Sequence, residues 1–172
     1  MADHVEKLVL LFVFDKMEVP LSENTILDLC CYSNNWINYM DCQGFMQQLL
    51  EAGFIYVINP KAAEPQYTIT PAGRTCLAHF YTNIQLSLRE RIASYIKTNC
   101  MVVKRRQDYT SEYEPNMNGG YTVTLKVLAP GETSMEIKLD VPSREKAESL
   151  HQRWEEKAAK TYEALYEILL SE

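Results

Sequence analysis

The chain has 172 residues, 47% of them hydrophobic and 23% charged, with a net charge of −6. These are ordinary globular proportions, and they leave room for one domain or two small ones. The apolar run Leu8 to Phe14 is far too short to span a bilayer, and no basic segment with a small-residue cleavage site marks a signal peptide.

Five cysteines, Cys30, Cys31, Cys42, Cys76 and Cys100, form an odd set without a spacing pattern. They fit reduced thiols in a cytoplasm better than a disulfide framework. Charge is distributed unevenly. Residues 1–80 hold four basic groups against nine acidic, 81–106 six against one, and 107–172 seven against thirteen. Attraction to a polyanion must come mainly from the middle segment.

Asp3 is placed to cap a first helix running to about Met17. Its stretch KLVLLFVFDK is apolar nearly all round, which calls for burial on several sides and suggests a partner subunit. Pro20 breaks the chain, and Ser22 caps a second helix through about Tyr32, with Ile26, Leu29 and Cys30 on its apolar face. Asn34-Asn35 marks a turn. Asn38 then caps a third helix, with Asp41 in a capping-box-like position, and Cys42, Phe45, Met46, Leu49 and Leu50 form its buried stripe. Gly53 closes that helix where left-handed backbone is wanted.

FIYVI and QYTIT read as strands joined by the loop NPKAAEP. Thr70 caps the next helix, with Pro71 at its first position. Apolar residues at helical spacing continue from Leu77 to Ile96, with a break near Asn83. KRRQDYTSEYEP reads as an extended segment. Two cleanly alternating strands follow, Tyr121 to Val127 and Met135 to Val141, joined at Ala129-Pro130-Gly131. A last helix begins at Ser143 and carries Ala147, Leu150, Trp154, Ala158, Leu165 and Ile168 on one stripe.

The order of three helices and a two-stranded wing is that of a winged helix-turn-helix. The phrase QQLLEAGFIYVINP…QYTITPAGRTCL, through Leu50, Glu51, Gly53, Ile55, Tyr67, Ile69, Thr70 and Gly73, resembles a passage of bacterial winged-helix regulators of the PadR and MarR type. This resemblance covers about residues 1–80. The whole chain is similar to an uncharacterised bacterial family, domain of unknown function 4364, described as transcriptional regulators. That second likeness rests on overall layout and on LLEAGFIYVI and YTITPAGR.

The resemblance implies double-stranded DNA as partner. The third helix would present Asn38, Tyr39, Met40, Gln43, Gly44 and Gln47 to the major groove, where glutamine can pair with adenine. Gly44 costs the helix roughly 1 kcal/mol relative to alanine, which makes sense where another backbone must come close. Lys61, Lys16 and Arg74 would meet phosphates, with Lys7 as a weaker candidate. Lys104, Arg105 and Arg106, with Arg89 and Arg91, are further candidate phosphate contacts, although pairing with the acidic C-terminal helix or simple solvation accounts for that cluster slightly better. No Lys or Arg lies between Asn38 and Glu51, so binding should be weak at physiological salt.

Cys30, Cys31, Cys42, Cys76 and His79 raise a metal-sensor idea, but no CxxC spacing exists and buried thiols are the commoner case. His4, His79 and His151 are scattered, and nothing in the sequence supports an enzyme. Tyr109, Tyr113, Tyr121, Trp154, Tyr162 and Tyr166 read as packing rather than as a ligand pocket.

The expected architecture is therefore α+β: a winged helix-turn-helix over 1–82, then over 83–172 a long helix and a small antiparallel three-stranded sheet with a C-terminal helix. The expected function is that of a homodimeric, cytoplasmic, DNA-binding transcriptional regulator reading with helix 38–52 and wing 54–70. The alternative is a winged-helix protein-interaction adaptor that binds no DNA. No cofactor, metal or membrane is expected, and the sequence identifies no small-molecule effector.

Overall fold

The computed structural model describes residues 2–62, 64–129 and 133–171. Two compact units part between Val103 and Lys104. The sequence places that seam at 82/83 instead. The shift follows from the long fifth helix, whose Ile92, Ile96, Cys100 and Val103 all pack into the N-terminal core.

The N-terminal unit is mixed helix and sheet. Its elements are α1 (Ala2–Met17), β1 (Leu21–Ser22), α2 (Glu23–Leu27) running on into a π-helical turn (Asp28–Tyr32), α3 (Tyr39–Glu51), β2 (Ile55–Ile58), β3 (Gln66–Ile69), α4 (Pro71–Phe80), a 3₁₀ turn (Tyr81–Asn83) and most of α5 (Leu86–Asp108). The wing has a third strand, since two residues of β1 pair antiparallel with β3, giving the order β1-β3-β2. Two residues are too few to carry a period-2 signal, so the sequence gives no sign of β1.

Every residue from Leu8 to Phe14 is at most 6% exposed within the single chain. Full burial of such side chains is worth about 1.5–3 kcal/mol each. The all-round apolarity of α1 is thus satisfied by α3, α4, β3 and the chain around them. Burial of Leu8 to Phe14 therefore needs no partner subunit, since the chain itself covers these seven residues. Asp3 also sits inside the first turn rather than at the cap, where a carboxylate still favours the helix dipole.

The remaining caps form as the sequence requires. Ser22 accepts from the Thr25 amide at 3.2 Å, and Asn38 from Met40 at 3.0 Å. Thr70 does two jobs: its hydroxyl accepts from the Gly73 amide at 3.0 Å and donates to the Gly53 carbonyl at 2.7 Å. That second bond ties the end of α3 to the start of α4. Gly53 takes φ +72°, a backbone state that side chains disfavour. Gly73 is required for a different reason, since a Cβ there would lie 2.2 Å from the Phe54 carbonyl oxygen.

In the second unit, β4 (Tyr109–Pro115), β5 (Tyr121–Leu128) and β6 (Thr133–Val141) pair antiparallel in that order, and α6 (Arg144–Leu170) covers one face. Val123, Leu125 and Val127 of β5 meet Ala147, Trp154 and Ala158 of α6. The alanines let helix and sheet approach, and Trp154 donates its ring N–H to the Lys126 carbonyl at 3.0 Å. Pro130 and Gly131, read as the hairpin joint, lie outside the described residues, as does Ala63 of the wing loop. Lys104 to Asp108 are helical, not extended. Lys, Arg and Gln are good helix formers, and cations suit the C-terminal end of the α5 dipole; the extended run starts at Tyr109. Beyond Ala158 the stripe of α6 runs off its cover, leaving Tyr166, Ile168, Leu169 and Leu170 exposed.

Replacing Gly73 with Ala should lower stability by about 3 kcal/mol, because the clash is with backbone that cannot step aside. Urea unfolding followed by circular dichroism measures this; an unchanged midpoint would show that α4 and Phe54 have room to part.

Candidate functional site

The surface of α2, its turn and α3 is where a helix-turn-helix meets its ligand. Asn38, Tyr39, Met40, Gln43, Gly44 and Gln47 all lie on the solvent side of α3, while Cys42, Phe45, Met46 and Leu49 face the core. A Cβ at Gly44 would meet nothing within 4 Å, so no contact within the chain demands glycine there.

The two glutamines are not idle. Gln43 donates to the Glu23 carboxylate at 2.9 Å, and Gln47 to that of Glu51 at 2.9 Å. Glu23 stands in the first turn of α2 and Asp41 in the first turn of α3. Helix N-termini are natural seats for phosphate, and here both carry a carboxylate already. Glu6 of α1 adds to this field, for its pKa is raised by partial burial and then by the charges of Asp41 and Asp3. From Met17 to Pro60 the chain has no Lys or Arg, against Glu18, Glu23, Asp28, Asp41 and Glu51. Among these carboxylates stand three exposed side chains of another kind. Tyr32 is 69% exposed, Tyr39 39% and Met40 78%, and the two tyrosine rings lie 5.5 Å apart.

The expected phosphate contacts are scattered and mostly engaged. Arg74 is ion-paired with Asp15. Lys7 and Lys16 each lie 5.4 Å from the centre of a phenylalanine ring, Phe45 and Phe12. Arg89 stacks 4.2 Å over Tyr81. Lys61 is exposed in the wing loop. In the C-terminal unit Lys104, Arg105 and Arg106 are exposed, and Arg106 lies 3.7 Å from Glu155 of α6.

Cys30, Cys31 and Cys42 come together beneath α2 and α3, and burial pushes all three thiols up from their usual pKa. Metal ligation needs thiolates, so this environment favours plain packing. Among the described residues no group of three or more His, Cys, Asp or Glu is placed to hold a metal ion. His79 bonds the Thr75 carbonyl oxygen through Nδ1 at 2.8 Å.

One pairing invisible in the sequence does appear. The Ser111 hydroxyl lies 2.6 Å from His151 Nδ1, forty residues away, and also donates to the His151 carbonyl at 3.4 Å. Among the described residues no carboxylate hydrogen-bonds the other ring nitrogen, which a general base needs for orientation. The contact fastens β4 to α6, and Tyr113 packs its edge against the same imidazole.

The sequence matches the family described as "Domain of unknown function (DUF4364)" over residues 6–169. The chain belongs to this family. No curated protein and no solved structure matches it. Among the described residues no helix is long and apolar enough to cross a membrane. On the α2–α3 surface, exposed aromatic, sulfur and amide side chains stand together: Tyr32, Tyr39, Met40, Gln43 and Gln47.

Because Glu6 holds its proton to higher pH in the folded chain than in the unfolded one, ionising it costs stability as pH rises from the ordinary carboxyl range through its raised pKa. Glu6→Gln should therefore melt above wild type at neutral pH and match it near about pH 3, where both side chains are uncharged. Melting curves at the two pH values test this, and an equal offset at both would remove the charge explanation.

Proposed function

We propose that the winged-helix unit is a protein-docking module whose α2–α3 face receives a partner with basic residues around an apolar centre. The observation that carries this reading is the charge of the face: Glu23, Asp28, Asp41 and Glu51 frame it, with no cation from Met17 to Pro60. Tyr and Met are the types that anchor protein interfaces, and Tyr32, Tyr39 and Met40 lie exposed at its centre.

The magnitudes oppose DNA at this surface. Phosphate contacts supply much of the affinity for duplex DNA, and its salt-dependent part comes from Lys and Arg that displace counterions. A carboxylate about 6 Å from a phosphate instead costs roughly 0.7 kcal/mol at the dielectric of water. A good glutamine–adenine pair gives about 1–3 kcal/mol of discrimination between bases rather than bulk affinity, and Gln43 and Gln47 would first have to leave Glu23 and Glu51.

DNA reading by a PadR- or MarR-like regulator is the second interpretation. It is favoured by the open space above Gly44 and the outward placement of Gln43 and Gln47. In that case Lys61, Arg91, Lys104 and Arg105 would carry the phosphate contacts. Pairing of two chains finds its support in the exposed apolar end of α6. Five free thiols fit a reducing, cytoplasmic setting.

Amide shift mapping distinguishes the two readings. An arginine-rich amphipathic helical peptide should move the amides of Tyr32, Tyr39, Met40 and Gly44, whereas random-sequence duplex DNA at low salt should not. The double change Tyr39→Ala, Met40→Ala should weaken the peptide about tenfold without altering the melting temperature. If the duplex shifts the α3 amides and the peptide leaves them still, the helix reads DNA.

A further inference from the structure

A cavity of about 660 Å³ opens in the N-terminal unit between α1, the end of α3 and α4. Its volume falls in the range of sites that hold drug-sized ligands, roughly 300–1,000 Å³. The interior is apolar, formed by Leu8, Leu11, Leu49 and Phe54. The charged lining is of one sign only: Lys7, with His4 beside it and the Asn83 amide as a further donor. Phe80, 51% exposed, also lines the cavity on the α4 side.

Three features make this more than an uncovered apolar patch. First, the rim is cationic, whereas residues 1–80 hold nine acidic groups against four basic ones. Second, Lys7 makes no ion pair among the described residues; its ammonium rests near the Phe45 ring and keeps its charge available. Glu6, next to it on α1, instead feels Asp41 and Asp3 and does not line the cavity. Third, the walls are rigid. Leu8, Leu11 and Leu49 belong to the buried core, and Phe54 is clamped through its carbonyl by the Thr70 amide at 3.0 Å and by the close approach of Gly73. A preformed apolar cavity with one charged group at its edge selects a ligand of matching polarity.

We propose that this cavity binds a small amphipathic anion, with an apolar body against Leu8, Leu11, Leu49 and Phe54 and a single carboxylate or sulfonate head held by Lys7 and His4. This rests on the cavity alone and is independent of how the α2–α3 face is used. Because the site joins α1 to the C-terminal end of α3, occupancy would stiffen the helix whose other side carries Tyr39 and Met40.

The test uses the full chain and two dyes of similar shape, anionic 1-anilinonaphthalene-8-sulfonate and uncharged N-phenyl-1-naphthylamine. The anionic dye should bind, and laurate should displace it. Lys7→Gln should weaken the anionic dye at least about fivefold while changing the neutral one less than about twofold. Cys76, half-buried on the cavity wall, gives a readout that needs no variant. Saturating laurate should slow its alkylation at least about fivefold and leave Cys100 unaffected, since protection follows occupancy. Equal weakening of both dyes by Lys7→Gln, or unprotected Cys76 in saturating laurate, would overturn the proposal. So would a dimer in sedimentation that Phe80→Asp dissolves and laurate does not, because the cavity would then be a contact between copies.

Discussion

The structure depends on the enclosure of one helix. Leu8 to Phe14 present apolar side chains in every direction, and a helix of that kind is stable in water only when surrounded. α3, α4 and β3 supply that surround, and their geometry follows from it. α3 must turn its Cys42, Phe45, Met46 and Leu49 stripe inward, which fixes Gln43, Gly44 and Gln47 outward. α4 must lie close, and Gly73 with the Thr70 bridge to Gly53 lets it do so. The cavity is where this wrapping is incomplete, beside the N-terminal turns of α1.

Much of this is legible in the residues. Ser22, Asn38 and Thr70 mark three helix starts because each has an oxygen one atom or two beyond Cβ, and each caps as expected. Gly53 is legible too, for its backbone state, whereas the close approach of Gly73 to Phe54 shows only in the structure. The enclosure of α1 is not, for periodicity tells how much of a helix must be covered and not which segment covers it. That ambiguity produced the expectation of a partner subunit. Lys104 to Asp108 misled for a related reason: five polar residues carry no apolar period, so only their place at the end of an established helix identifies them as helical.

The site divides in the same way. Outward residues of α3 follow from its stripe, so their placement is secure from sequence. Their hydrogen bonds are not, because Glu23 lies twenty residues before Gln43, and the Arg74–Asp15 pair spans fifty-nine. Those tertiary pairings change the meaning of the surface. A glutamine bound to a neighbouring carboxylate and an arginine bound to an aspartate are poorer tools for a polyanion than the same residues standing free. A fold associated with DNA thus presents an acidic, aromatic-centred face, and the fold alone does not decide what it meets.

The central claim is that the chain itself covers Leu8 to Phe14, so that this segment of α1 needs no second copy. Amide hydrogen exchange across Leu8 to Phe14, measured over about a hundredfold dilution of the full chain, tests it most directly. These amides should be among the slowest to exchange, at rates independent of concentration. Protection that falls away on dilution would mean that a second copy covers α1, and would contradict the account.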